Sequence, residues 1–174
     1  MNKSNLKSYA PQARKDFIAA VTARANLLGL SETAGTLEVA PAQTQGDVTV
    51  IAGQAWPAKV SGQRDKLIKR IRKDGFAHTM EAVAYTWFNR FAALRYMELH
   101  DYLGHGHRAL SSTSGGLPDI LTHATDLTNE LPGLNAAKVT ELKLAGNRDG
   151  ELYRMLLVAQ CNALSRAMPF LFER

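Results

Sequence analysis

The sequence has little cysteine and no long apolar segment. Cys161 is the single cysteine among 174 residues, which excludes an internal disulfide and a multi-thiolate metal site and is typical of a reducing compartment. No apolar run approaches the roughly 20 residues that span a bilayer, and the polar first residues lack the apolar stretch of a secretory signal. We therefore expect a cytoplasmic protein with no membrane partner, in which Cys161 packs in the core.

Outside one window, the sequence has no excess of positive or negative charge. Lys and Arg total 21 against 16 Asp and Glu, a formal excess of +5. Seven basic and two acidic residues lie between Lys59 and Gly75, so this window holds the whole excess and the rest of the chain is balanced. A local excess of this kind is typical of a polyanionic partner, whether nucleic acid, an acidic protein or a membrane surface.

The hydrophobic share of 45% is enough for a core, and we expect one mainly α-helical domain over residues 1–174 with two long amphipathic helices and a small β-hairpin near residues 47–60. Pro11 suits the first turn of the first helix and Gly29 its C-terminal cap. Its apolar face comprises Phe17, Ile18, Val21, Ala25 and Leu28. Residues 31–45 fit a short helix or a loop equally well. The β-branched residues after Asp47 favour the hairpin, and Pro57 confines its second strand to an edge.

The basic window itself predicts a helix. Ser61 is a possible N-cap, and Leu67, Ile68 and Ile71 form a narrow apolar stripe. Opposite this stripe, Lys66, Arg70 and Lys73 share one face with Lys69 and Arg72 beside them. A solvated face whose long side chains cover apolar surface and a binding face both fit this pattern.

The strongest helical pattern runs from Thr79 to about Leu103. Its core-facing stripe comprises Met80, Val83, Ala84, Trp87, Phe88, Phe91, Leu94 and Met97 or Glu98. Tyr85 and Tyr96 widen the apolar sector, which suggests helix contacts on more than one side. The polar residues Asn89, Arg90 and Arg95 either face a partner or pair with Glu81, Glu98 or Asp101.

The loop after this helix has the one metal-like spacing in the sequence. His105 and His107 have residue types that can share an ion with His100 or Asp101, but the flanking glycines and Arg108 favour a structural or exposed turn, and we predict no metal site. Residues 111–116 lack the features of a phosphate-binding P-loop and predict a flexible linker.

The last third of the chain predicts shorter helices. They cover Asp119 to Thr125, Ala136 to Ala145 with Asn135 as N-cap, and a mostly buried helix from Asp149 onward. The chain ends in an apolar Phe170-Leu171-Phe172 segment. We expect these aromatic residues to be exposed and the chain to be truncated.

Three stretches together carry a family resemblance. They are Asn5 to Arg14 with Phe17, Tyr85 to Glu98 with its Trp-Phe-Asn-Arg block, and Gln160-Cys161-Asn162. The whole chain resembles the amino-terminal region of the PglX family, the adenine-N6 DNA methyltransferases of bacteriophage exclusion (BREX) systems. The resemblance implies S-adenosylmethionine as the cofactor of the full-length enzyme, bound by a glycine-rich motif, and an Asn-Pro-Pro-aromatic catalytic motif. This chain has neither motif, so it holds no catalytic or cofactor-binding residue and we expect no activity from it alone.

Two functions follow as hypotheses. In the first, the basic helix contacts double-stranded DNA, mainly at phosphates, through Arg64, Lys66, Lys69, Arg70, Arg72 and Lys73. About five neutralised phosphates predict a slope near −4.5 for log K against log salt. In the second, the domain docks other BREX proteins or its own methyltransferase domain, with Phe170 and Phe172 on the contact surface. A metal-dependent enzyme using His105 and His107 is the least favoured alternative.

Overall fold

The computed structural model describes the backbone of residues 3–172 and the side chains of residues 7–172. It divides into two compact units, Met1–Phe88 and Asn89–Arg174, which we call the first and second units. Helices predominate and the strands are confined to the first unit, so the predicted mainly α fold is confirmed for the described residues. None of the described helices is long and apolar enough to cross a membrane.

The first unit contains two complete helices, two small antiparallel sheets and the first half of a third helix, whose second half belongs to the second unit. Its elements are α1 (Lys3–Leu27), β1 (Leu30–Thr33), β2 (Thr36–Val39), β3 (Ala42–Gln45), β4 (Val48–Ile51), β5 (Gln54–Pro57), α2 (Lys59–Asp74) and the first half of α3 (Phe76–Leu99).

Helix α1 begins earlier than the sequence predicts. Pro11 lies inside the helix and not in its first turn. Because proline has no backbone N–H, the helix lacks one backbone hydrogen bond at this position but continues through it. The predicted C-terminal cap is confirmed: the helix ends at Leu27 and Gly29 has a φ of 66°. The Gly29 carbonyl accepts a hydrogen bond from the Ala40 N–H at 2.8 Å, which closes the β1–β2 hairpin against the helix end.

Residues 31–45 form strands, so both predicted alternatives, a helix and a loop, are wrong for most of this segment. Strands β1 and β2 pair through the turn at Ala34 and Gly35, whose φ angles of 50° and 78° match a type I′ turn. Alanine rarely adopts this conformation, whereas Asn-Gly and Asp-Gly are the usual signals. The turn therefore gave no recognisable signal in the sequence.

The predicted hairpin near residues 47–60 is confirmed and extended. Strands β4 and β5 pair around Ala52 and Gly53, and β3 adds a third strand on the other side of β4. Because the strand order is β3-β4-β5, Pro57 lies on an edge strand as predicted. Thr49 and Ile51 are fully buried while Val48 and Val50, which alternate with them along β4, are exposed, which is the alternation of a sheet with one covered face.

The core of the first unit lies where the end of α1, strand β1, α2 and the start of α3 meet. Its buried members are Ala25, Leu30, Ile68, Ile71, Phe76 and Met80. The apolar stripe predicted for α2 is thus confirmed. The predicted N-cap at Ser61 is wrong, because the helix begins at Lys59 and the Ser61 N–H already bonds to the Ala58 carbonyl at 3.0 Å within the first turn.

The second unit is built from the second half of α3 and a set of shorter helices. They are α4 (Asp119–Thr122), a 3-10 turn (Asp126–Thr128), α5 (Ala136–Leu144), α6 (Asp149–Leu164) and α7 (Pro169–Phe172). Asn135 caps α5 as predicted, since its side-chain oxygen accepts the Lys138 N–H at 3.0 Å.

The core of the second unit surrounds α6. Leu152, Leu156 and Cys161 are buried in it, and burial raises the pKa of the Cys161 thiol. Phe172 is also buried, with 1% of its surface exposed, so its predicted exposure is wrong, whereas Phe170 is 81% exposed as predicted. Helix α7 explains the difference, because two residues of helix turn one ring away from the core that receives the other.

Helix α3 is shorter than predicted at its C-terminal end but buries the predicted stripe, with Met80, Ala84 and Leu94 almost fully covered. Its two outer aromatics, Tyr85 and Tyr96, are 68% and 58% exposed. Tyr85 nevertheless lines a cavity with Phe17 of α1, so it lies beside a second helix of the first unit. The Tyr96 ring contacts His100 and Tyr102, which follow it in sequence.

Candidate nucleic-acid interface

Helix α2 is held in the first unit by one of its own basic side chains. Arg64 is only 5% exposed. Its Nε donates to the Leu28 carbonyl at 2.7 Å and its Nη2 donates to the Ala40 carbonyl at 2.5 Å. These two carbonyls belong to the end of α1 and the end of the first hairpin, so Arg64 ties both to α2. Its guanidinium group is therefore directed inward, unlike the other cations predicted to contact DNA.

The other five predicted cations are exposed. Lys66, Lys69, Arg70 and Lys73 lie within a sector of about 100° on α2, and Arg72 lies on its flank, because each residue of an α-helix turns by about 100°. Ile68 and Ile71 are buried on the opposite side. We call Lys66, Lys69, Arg70 and Lys73, together with Lys59 at the start of the helix, the basic face.

Sequence reasoning missed Lys59 as a member of this face. It precedes the predicted N-cap at Ser61 and was therefore counted outside the helix. Since α2 begins at Lys59, this exposed side chain lies two turns before Lys66 and four turns before Lys73. The basic face is thus about 21 Å long at 1.5 Å per residue.

Few acidic groups neutralise these cations. Arg70 pairs with Asp74 at 3.8 Å. Within residues 7–172, Lys59, Lys66, Lys69, Arg72 and Lys73 form no ion pair within 4.0 Å. The basic residues Arg72 and Lys73 also lie in the last turn of the helix, where the macrodipole favours positive charge. The four lysines of the basic face can therefore hold a row of anionic groups without first giving up an ion pair within the described residues.

Two arginines of α3 in the second unit, Arg90 and Arg95, have internal partners. Arg95 pairs with Glu98, which is buried and also accepts hydrogen bonds from the Leu110 N–H at 2.7 Å and the Ser111 hydroxyl at 2.9 Å. Arg90 donates from Nε to the Leu171 carbonyl at 3.2 Å. The pairing alternative is thus confirmed for Arg95 with Glu98.

The predicted linker at residues 111–116 is tied to the start of α4. The Asp119 carboxylate is buried and accepts the Thr113 N–H at 3.2 and 3.3 Å, and the Asp119 N–H donates to the Ser111 carbonyl at 3.0 Å. Burial acts to raise the pKa of Asp119, but hydrogen bonds from Thr113, Ser112 and Arg108 together hold it below its usual value. This loop therefore has specific anchoring contacts.

The two histidines of the preceding loop occupy different surroundings. His105 Nε2 lies 2.6 Å from the Oε1 atom of buried Gln160, and its Nδ1 accepts the His107 N–H at 3.1 Å. The His107 ring stacks on His123, with centroids 4.2 Å apart. Burial, followed by the neighbouring His123 and His105, lowers the pKa of His107. The fold thus brings His107 to His123, a neighbour that sequence spacing did not indicate.

Comparisons with known proteins identify two curated relatives. The chain is 47% identical over 176 residues to adenine-specific methyltransferase BrxX of Escherichia coli O9:H4 (strain HS), an alignment that covers 99% of this chain and 14% of the relative. It is 29% identical over 188 residues to adenine-specific methyltransferase PglX of Lacticaseibacillus casei (strain Zhang), which covers 100% of this chain and 16% of the relative. No protein-family model matches the chain. The resemblance to PglX is thus confirmed, and the chain spans less than a fifth of the length of the curated relatives it matches.

Proposed function

We propose, on the premise that this chain corresponds to one segment of a PglX-like adenine-specific methyltransferase, that the segment contacts double-stranded DNA through the basic face of α2. In this proposal, methyl transfer to adenine and the binding of S-adenosylmethionine belong to other parts of the full-length enzyme. The segment contributes binding energy and holds DNA near that enzyme, in the setting of BREX phage defence.

The observation that supports this function best is the row of uncompensated cations. Lys59, Lys66, Lys69 and Lys73 are exposed and form no ion pair with any residue of the described range 7–172. Duplex DNA presents phosphates at a regular spacing of about 3.4 Å per strand along its axis, so a row about 21 Å long spans roughly six base pairs. Flexible lysine side chains can adjust to phosphates at this spacing without exact register.

Contacts of this kind are electrostatic and independent of base identity. Each cation that neutralises a phosphate releases condensed counterions, so binding weakens as salt concentration rises. Five contacts, from the basic face, predict a slope of about −4.5 in log K against log salt. Phosphate contacts position a protein on the duplex but do not read sequence, so recognition of the methylated motif lies elsewhere in the enzyme.

Fluorescence anisotropy with a labelled duplex of arbitrary sequence, measured over a salt series, tests this function. We expect steep salt dependence for the unaltered chain. The triple variant Lys66→Glu, Arg70→Glu, Lys73→Glu should lose at least about 100-fold in affinity at low salt, because three phosphate contacts become repulsive.

A charge-matched variant is the control for net charge. Lys7→Glu, Lys15→Glu, Arg154→Glu changes the net charge equally at exposed positions outside α2. If both triple variants lose the same affinity, the effect comes from net charge alone and the basic face is not the contact surface. Absence of binding at low salt by the unaltered chain contradicts the proposal directly.

The second candidate function is protein docking, which the exposed Phe170 favours. This side chain is 81% exposed, and Leu144 in the same unit is 82% exposed. Large exposed apolar side chains are common at contact surfaces. In this alternative, Phe170→Ala weakens binding to other BREX proteins or to the methyltransferase domain, and the triple charge reversal on α2 leaves it intact. Phe172 is unsuitable for this test because its removal opens the core.

A further inference from the structure

We propose that His107, His123 and Asp126 form a binding site for one divalent transition-metal ion of the zinc class. Each residue offers one ligand atom, and these three atoms lie within 4.8 Å of one another. The site lies in the second unit, whereas the basic face lies in the first, so this inference is independent of DNA binding.

His123 and Asp126 come from one hydrogen-bonded turn. His123 follows α4, and its N–H bonds to the Asp119 carbonyl at 2.9 Å; the Asp126 N–H bonds in turn to the His123 carbonyl at 3.0 Å. Between and after them, Ala124 and Leu127 are fully buried. The buried residues anchor the turn, so the imidazole and the carboxylate project from the same side at a spacing of three residues.

His107 is brought to this turn by the backbone of its own loop. The Arg108 carbonyl accepts the Ile120 N–H at 3.1 Å, and the Ala109 carbonyl accepts the Tyr153 hydroxyl at 3.0 Å. Both contacts lie directly after His107. The loop is therefore fastened to α4 and α6 at the point where its imidazole stacks on His123, with the rings inclined by only 12°.

His105 holds the backbone of His107 in place through hydrogen bonds. Because its Nδ1 accepts the His107 N–H, its proton is on Nε2, which donates to the Gln160 Oε1. Gln160 is 1% exposed, so this contact is fixed in the core. His105 is thus a positioning residue for the loop and both of its ring nitrogens are already engaged, which leaves it outside the ligand set.

The donor set fits zinc-class ions better than magnesium or calcium. Two imidazoles and one carboxylate are ordinary zinc ligands, whereas magnesium and calcium require oxygen ligands. Bonds of about 2.0–2.2 Å in tetrahedral geometry place ligand atoms about 3.4 Å apart. His123 and Asp126 have 46% and 66% of their side chains exposed, so they have room to rotate and close the remaining distance. Three protein ligands leave the fourth position open to water.

Isothermal titration of the 174-residue chain, prepared without a histidine tag, tests this site. With zinc chloride we expect one ion per chain and a raised unfolding temperature, because the ion binds the folded state. Magnesium chloride should give neither effect. His123→Ala and Asp126→Asn should each weaken zinc binding at least about tenfold.

His78→Ala is the matched control, since His78 is an exposed histidine of the first unit. Its zinc affinity should equal that of the unaltered chain. Circular dichroism of each variant establishes that it is folded, and Asp126→Asn preserves the shape of the side chain. Zinc affinity unchanged in both His123→Ala and Asp126→Asn, equal responses to zinc and magnesium, or no zinc binding by the unaltered chain would overturn the proposal.

Discussion

The exposed face of α2 and the surface of α5 and α6 are both rich in cations, but only the second is internally compensated. On α5 and α6, Lys138 pairs with Glu141 at 2.7 Å, and Arg148 pairs with Glu141 at 3.0 Å and with Glu151 at 2.6 Å. On α2, the one ion pair among the side chains of residues 7–172 joins Arg70 to Asp74 at 3.8 Å. The comparison teaches that the number of basic residues alone does not identify a binding surface; the cations left without acidic neighbours do.

The largest expected effect concerns Arg64, the α2 cation whose guanidinium group is directed inward. Arg64→Met should lower the free energy of unfolding by about 2–4 kcal/mol, because two half-buried carbonyls lose a charged donor. Lys66→Met, on the exposed side of the same helix, should change it by less than about 0.5 kcal/mol. Urea denaturation measures both values. Similar losses from the two variants would contradict the distinction between the inner and outer cations of α2.

The next effect extends the comparison to an acidic residue, Asp119, whose charge is stabilised by hydrogen bonds from backbone N–H groups. Asp119→Asn should destabilise the protein at pH 7, since the hydrogen bonds that hold the pKa of Asp119 low stabilise its charged form. A folded-state pKa below the unfolded value gives stability that is present above the unfolded pKa and is lost as pH falls through the folded pKa.

Denaturation curves of this variant and the unaltered chain at pH 7 and near pH 3 measure the difference. We expect the gap in stability to shrink at the lower pH, where the wild-type carboxylate begins to protonate. A gap that is constant with pH indicates that the charge of Asp119 does not stabilise this loop.

A smaller effect, this time an increase in stability, accompanies a test of whether DNA affinity depends only on the charges of the basic face. Gly62 lies between Lys59 and Lys66 in α2, and a Cβ atom added there meets no atom within 4 Å. Gly62→Ala should therefore stabilise the protein by about 0.5–1 kcal/mol. DNA affinity should be unchanged, because no cation is altered. A loss of affinity shows instead that DNA approaches the helix backbone closely at this position.

The smallest effect concerns the paired cations of α5 and α6. Arg148→Met should lower the unfolding temperature slightly at low salt and not at high salt, because exposed ion pairs are screened. The DNA affinity of this variant should equal that of the unaltered chain. Thermal unfolding at two salt concentrations and the same anisotropy assay measure the two outcomes. A loss of DNA affinity in Arg148→Met would remove the contrast between the two surfaces.

Much of the helical structure was predictable because its signals are local. The spacing of Met80, Ala84 and Leu94 identifies the buried face of α3, and Asn135 and Gly29 mark a helix start and a helix end through their own side-chain and backbone preferences. Strands β1 and β2 were missed because Ala34 occupies a turn position that usually requires Gly, Asn or Asp.

The candidate site was predictable in part. The basic window located α2 and five exposed cations, but not the first residue of the helix, so Lys59 was left out. Arg64 was grouped with the surface residues because its sequence neighbours are charged. Its acceptors, Leu28 and Ala40, are 36 and 24 residues away, and no local pattern indicates them.

The division between the two kinds of information follows the range of the forces involved. Helical periodicity, capping and the net charge of α2 depend on residues within a few positions of one another, so they can be read along the chain. The inward direction of Arg64, the burial of Phe172 beside the exposed Phe170, and the meeting of His107 with His123 depend on contacts between distant segments. Only packing of the folded chain brings those segments together, because the free energy of core burial, and not any local preference, selects which side chains lie inside.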